Sequence, residues 1–196
     1  MTVDYDTLKP LFSDIQKEVS ILKSLVEQQL SNDMKYHPMV AFISHSDNRM
    51  MAVTVPNVGT FEENSYALSE IMHLFPAFSA KTAIITMTAK IDINDHLYDL
   101  LNVFILSDDS AYILTLPYTH TQNNTFTWHD DISNLTNLAD MDGEHEGADF
   151  ISMLFVFTHM PGPVFTSSEI LSYLSYKGYA IQDFQNKFSY FEMSPQ

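Results

Sequence analysis

Leu101-Asn102-Val103-Phe104-Ile105-Leu106-Ser107-Asp108-Asp109-Ser110-Ala111-Tyr112-Ile113-Leu114-Thr115-Leu116-Pro117 is the stretch whose reading decides the fold class. Two apolar runs rich in Val, Ile and Leu flank four turn-forming residues, the pattern of a β-hairpin, and Pro117 then supplies a stop. The same order occurs upstream. Met39 to Ser44 and Met50 to Val55 read as strands around a polar turn at His45-Ser46-Asp47-Asn48-Arg49, closed by Pro56. A duplicated unit and two ordinary hairpins would leave the same trace.

Around these hairpins the period changes. From about Asp6 to Leu30, Leu8, Leu11, Phe12, Ile15, Val19, Leu22, Leu25, Val26 and Leu30 recur mostly at steps of three and four, predicting an amphipathic helix packed on the protein's own sheet. Pro10 fits only the first turn of such a helix. Thr60 and Glu63 have capping-box spacing, so a second helix should run to about Phe75, burying some of Tyr66, Leu68, Ile71, Met72 and Leu74. Lys81 to Ile91 reads as a strand, Asp92 to Asp99 as a polar connection, and Thr125 to Trp128 as a short strand. Phe150 to Thr158 barely alternates and reads as a strand buried on both faces. Thr166 and Glu169 form a second capping box, with Gly178 placed to end that helix. The expected fold is a single α+β domain over residues 1–196. Its antiparallel or mixed sheet is built from two hairpins and a buried strand and is flanked by three or four helices.

Composition bounds the function. A chain of 196 residues with 45% apolar residues is long enough to bury roughly 70% of its unfolded surface without staples. It has no cysteine, which removes disulfides, thiolate nucleophiles and thiolate metal sites. The amino terminus lacks a signal-peptide pattern and the longest apolar run is too short to span a bilayer, so a cytoplasmic location is expected.

The net charge is −16, unevenly placed. Residues 1–90 carry 7 basic and 10 acidic side chains; residues 91–176 carry none and 13; residues 177–196 carry 2 of each. Without a Lys/Arg footprint, neither nucleic acid nor an anionic membrane is an expected partner. Charged residues are only 17% of the chain, against about 25% in ordinary domains. The acidity therefore comes from missing Lys and Arg, which also argues against a carboxylate-dense imitation of DNA.

The one locally enriched stretch is 128–149, with 7 acids in 22 residues: Asp130, Asp131, Asp140, Asp142, Glu144, Glu146 and Asp149. These are the candidate partner-binding residues, facing a protein with a basic surface. Asp140-Met141-Asp142-Gly143-Glu144 resembles the opening of a calcium loop only superficially, because the glycine comes two positions early and Ile151 stands where a bidentate Glu is needed. His129, Asp130 and Asp131, with His120 nearby, form the alternative candidate, a metal site for a hydrolase. No Gly-x-Ser-x-Gly elbow or phosphate-cradling glycine run is present, and no cofactor is expected. The leading expectation is a non-enzymatic interaction protein of the inhibitor, immunity or viral accessory type. A structural subunit, docking through the N-terminal helix or the aromatic segment Tyr179 to Phe191, is a further alternative, and homo-oligomers are compatible with it.

Overall fold

The structure, a computed structural model, describes residues 5–8, 15–33, 36–44, 49–55, 61–121, 125–140, 146–162 and 164–184. The first hairpin that the hydrophobic runs demand joins β1 (Met39–Ser44) and β2 (Arg49–Thr54), paired antiparallel from Met39↔Thr54 to Ser44↔Arg49. All six residues of β1 are buried, so both of its faces are covered. Val40 and Phe42 point to one side, and Met39, Ala41 and Ile43 to the other, as the two-residue repeat of a strand requires.

Outward from β1 the sheet continues through β3 (Thr82–Ile93), β4 (His96–Ser107), β5 (Ala111–His120) and β6 (Phe126–Trp128). On the other flank β2 pairs with β8 (Ala180–Phe184), and β7 (Asn134–Asn137) pairs with β5 beside β6. Every pairing is antiparallel, giving an eight-stranded antiparallel sheet.

Helices cover both faces. One face carries α1 (Ile15–Asp33), which buries Val19, Leu22 and Val26 against Ala41, Ile43, Ile84 and Ile105. A separate 3₁₀ turn, Tyr5–Leu8, adds Leu8 to that layer. The helical stretch expected from about Asp6 to Leu30 is thus described as this turn and α1, while Pro10 lies outside the described residues. The opposite face carries α2 (Phe61–Met72), the one-turn α3 (Leu74–Ala77), α4 (Glu146–Phe155) and α5 (Ser167–Tyr176), with Leu68, Ile71, Leu154 and Leu174 fully buried. No helix among the described residues is long and apolar enough to cross a membrane.

Several expectations need correction. Phe150 to Thr158 is not a strand: it forms α4 and a 3₁₀ turn, Val156–His159. A short apolar run, broken here only by Ser152, fits a buried strand and a buried helix equally, and tertiary packing decides. Here Phe150, Ile151, Leu154 and Thr158 are buried while Met153 and Val156 are exposed, a spacing of three to four. Asp92 to Asp99 is likewise not a loop. β3 and β4 run to Ile93 and from His96, joined by Asn94 and Asp95 with φ of 53° and 63°. Asn and Asp tolerate that left-handed region, which a two-residue hairpin turn needs at both positions.

Pro117 does not stop β5; it sits inside it, opposite Leu100. Its carbonyl accepts from the His129 backbone N–H at 2.9 Å. The missing N–H therefore faces the same side, between β7 and β6, where no ladder bond is lost. Helix α2 ends at Met72, and Pro76 falls in the single turn of α3, where its missing donor costs little. Tyr66, expected among the buried residues of α2, is 67% exposed. Thr60 lies outside the described residues. The second capping box is present: the Thr166 side chain accepts from the Glu169 backbone, and the Glu169 carboxylate accepts from the Thr166 N–H. Gly178, at φ 86°, closes α5 with Gly178 N–H to Ser175 and Tyr179 N–H to Leu174, both 3.0 Å.

Candidate functional site

The densest acids in the sequence are dispersed in space. Trp128 ends β6, and its indole N–H donates to the Glu27 Oε1 of α1 at 2.6 Å. One turn earlier on α1, the Lys23 ammonium lies 2.6 Å from Asp130 Oδ1 and 5.1 Å from the centroid of the Trp128 ring. Asp130 is therefore engaged in clasping α1 to the sheet edge. Asp131 is exposed in the same turn, Asp140 is exposed at the end of the 3₁₀ turn Leu138–Asp140, and Asp149 is exposed on α4. Glu146 opens α4, whereas Asp142 and Glu144 lie outside the described residues. Asp130 pairs with α1 and Asp149 lies on α4, helices on opposite faces of the sheet.

The histidines separate in the same way. His129 places Nε2 3.2 Å from Thr119 Oγ1 and packs edge-on against Tyr98 at 5.0 Å. His120 stacks on Phe126 at 4.2 Å. Thr119 and His120 are neighbours on a strand and point to opposite faces, so the sheet lies between the two imidazoles. Among the described residues no three His, Asp or Glu side chains are placed to hold a metal ion.

A different constellation forms on the outer surface of α2 and α5. Tyr66, Glu70 and His73 are spaced by four and three residues and form one stripe at α2; Glu169, Ile170 and Tyr173 form the facing stripe of α5, with Phe165 at one end. Between them runs a groove of about 530 Å³, within the range of ligand clefts. Its walls are aromatic and open: Tyr66 is 67% exposed, Phe165 53% and Tyr173 45%. The His73 ring is held edge-on against Phe157 at 4.8 Å.

Glu70 ties the two helices together. Tyr173 donates to its Oε1 at 2.7 Å and Tyr179 to its Oε2 at 3.3 Å, while the Lys177 ammonium stands 3.6 Å from Oε1. Lys177 also lies 5.6 Å over the Tyr173 ring. These contacts shift the neighbouring groups. The Tyr173 phenol is raised above its ordinary value, chiefly by the hydrogen bond to Glu70. Burial, then Glu70, raises Tyr179. The Lys177 ammonium is raised by Tyr173 and Glu70. Glu169 goes the other way, its carboxyl lowered by the Thr166 side chain and backbone donors. At the amino end of α5, the Ser167 hydroxyl donates to the Ala77 carbonyl at 2.5 Å, fixing α5 to α3.

Sequence reasoning missed this groove, because Glu70 and Tyr173 stand 103 positions apart. The spacing of Tyr66, Glu70 and His73 was the available signal, a polar-aromatic stripe on a helix whose other side is apolar. Chemically the arrangement offers aromatic faces and carboxylates, with no Lys or Arg among the described residues that line it and the Lys177 ammonium standing beside Glu70 and Tyr173, a setting that favours a cationic or aromatic occupant. Comparison with protein-family models, with curated proteins and with solved structures returns no match.

Proposed function

We propose that this chain is a non-enzymatic interaction protein that binds a protein partner with a basic surface, acting in the cytoplasm as an inhibitor, immunity or accessory factor. The observation that supports the reading is the α2–α5 groove, where three large aromatic side chains stand open to solvent beside Glu70 and Glu169. Aromatic residues in a pocket are the usual anchors of protein interfaces. The net charge of −16 supports the same class of partner. Such a field speeds encounter with a positive surface.

The test compares the wild type with Tyr66→Ala/Phe165→Ala, both positions exposed, where substitution should leave stability within about 0.5 kcal/mol per site. The wild type should retain a partner from lysate at low salt and release it at high salt. The double variant should lose it, and the purified partner should rebind only the wild type. A partner held equally by both proteins, or held without regard to salt, overturns the assignment.

A further inference from the structure

The groove's chemistry specifies more than a protein ligand. A carboxylate offers about four acceptor positions, and among the described residues three donors reach Glu70: Tyr173, Tyr179 and Lys177. Of these, Lys177 is the replaceable one. Its side chain is 42% exposed and its ammonium stands 3.6 Å from Oε1, a spacing at which a surface pair contributes little. Yet its position is informative, because it stands close to both the Glu70 carboxylate and the face of Tyr173. The chain's own side chain marks where a cation is favoured.

From that geometry, and resting on the proposed interaction with a basic partner, we infer that the α2–α5 groove is an arginine subsite. A guanidinium from the partner takes the place of the Lys177 ammonium, lies against the Tyr173 ring and pairs with Glu70, with Glu169 as a second counter-charge. Arginine fits better than lysine for physical reasons. Its planar, weakly hydrated fork stacks on aromatic faces and binds carboxylates through two parallel donors, whereas an ammonium is a strongly hydrated point charge. Glu70 is nearly enclosed, with 13% of its side chain exposed, so a charge-assisted bond there is screened less than one on open surface.

The experiment is a titration of the full chain, followed by NMR of the Tyr66, His73 and Tyr173 rings, with N-acetyl-arginine amide, N-acetyl-lysine amide and tetramethylammonium as probes. The arginine amide should move these rings and bind at least about threefold more tightly than the lysine amide. Glu70→Gln should weaken it by about tenfold, the loss expected for a hydrogen bond to a charged group. Lys177→Met should tighten it by about two- to fivefold, by removing the resident competitor. Should Glu70→Gln fail to fold, Tyr173→Leu carries the same expectation through loss of the stacking face. Tetramethylammonium binding as tightly as the arginine amide, or shifts indifferent to these variants, overturns the arginine subsite. If the probes fail while Tyr66→Ala/Phe165→Ala still abolishes partner capture, the subsite falls and the interaction reading stands; if both fail, both fall.

Discussion

The two faces of the sheet are covered by opposite strategies. Among the described residues, one face is closed by α1 and the 3₁₀ turn Tyr5–Leu8, and polar side chains at its margin are paired with one another: Lys23 with Asp130, Glu27 with Trp128. The other is closed by α2, α3, α4 and α5, and their outer surface leaves Tyr66, Phe165 and Tyr173 in the open beside Glu70 and Glu169. The contrast teaches that charge density along a chain is a poor guide to charge available for recognition. Asp130, from the richest acidic stretch, works as a fastener. Glu70 and Glu169, from helices outside that stretch, line one groove.

The largest expected effect tests whether the second face is helical where a strand was expected. Leu154 is fully buried on α4, and Leu154→Ala should cost about 2–5 kcal/mol, read from the denaturant midpoint. Met153 is its control. In a strand buried on both faces Met153 would be as enclosed as Leu154, whereas on α4 it is 43% exposed. Met153→Lys should therefore leave stability within about 0.5 kcal/mol of the wild type. Equal losses from the two substitutions would restore the strand.

Legibility followed the range of the interactions involved. The apolar strands of β1, β2, β4 and β5 could be read because alternation and turn residues lie within a dozen positions of each other. Thr166, Glu169 and Gly178 could be read for the same reason, since a capping box and a left-handed helix end are local devices. Phe150 to Phe157 could not, because its apolar run satisfies either period and only packing against Phe104 at 6.3 Å and its neighbours selects the helix. Asn94-Asp95 was obscured by polar side chains on both flanks, which concealed a hairpin extending beyond the buried sheet. Only one wall of the groove left a local trace, the spacing of Tyr66, Glu70 and His73. Its two walls come from residues 66–73 and 165–173, and nothing local relates them.

A middle-sized effect is expected from the cap that positions one wall of the groove. Thr166→Ala removes the acceptor for the Glu169 N–H and one donor to its carboxylate. A loss of about 0.5–2 kcal/mol is expected, together with looser placement of Tyr173. Thermal unfolding gives the first quantity, and NMR line shapes of the Tyr173 ring give the second. The corresponding change on the other face, Lys23→Met, should cost about 0.2–1 kcal/mol, because Asp130 is 68% exposed and water screens the pair. A larger loss from Lys23→Met than from Thr166→Ala would reverse the ranking of the two faces.

The smallest effect separates the faces by cause. Tyr118, on the α1 side, is raised above the ordinary phenol value of 10.0 by burial and then by Asp99. Tyr173, on the groove side, is raised chiefly by donating to Glu70. A folded-state value raised above the unfolded one gives stability that is complete below the unfolded value and disappears as pH climbs through the folded one. Both tyrosines should therefore hold their protons past pH 10.0, and the structure should weaken only above that range. Glu70→Gln divides them. Removing the carboxylate should bring the Tyr173 titration down towards its ordinary value and leave Tyr118 where it was, because desolvation on the α1 side does not depend on Glu70. Tyrosinate absorbance near 295 nm, assigned by Tyr173→Phe and Tyr118→Phe, reads both transitions. If Tyr118 moved with Tyr173, the two faces would share one electrostatic environment and the distinction between a fastened face and a receptive one would collapse.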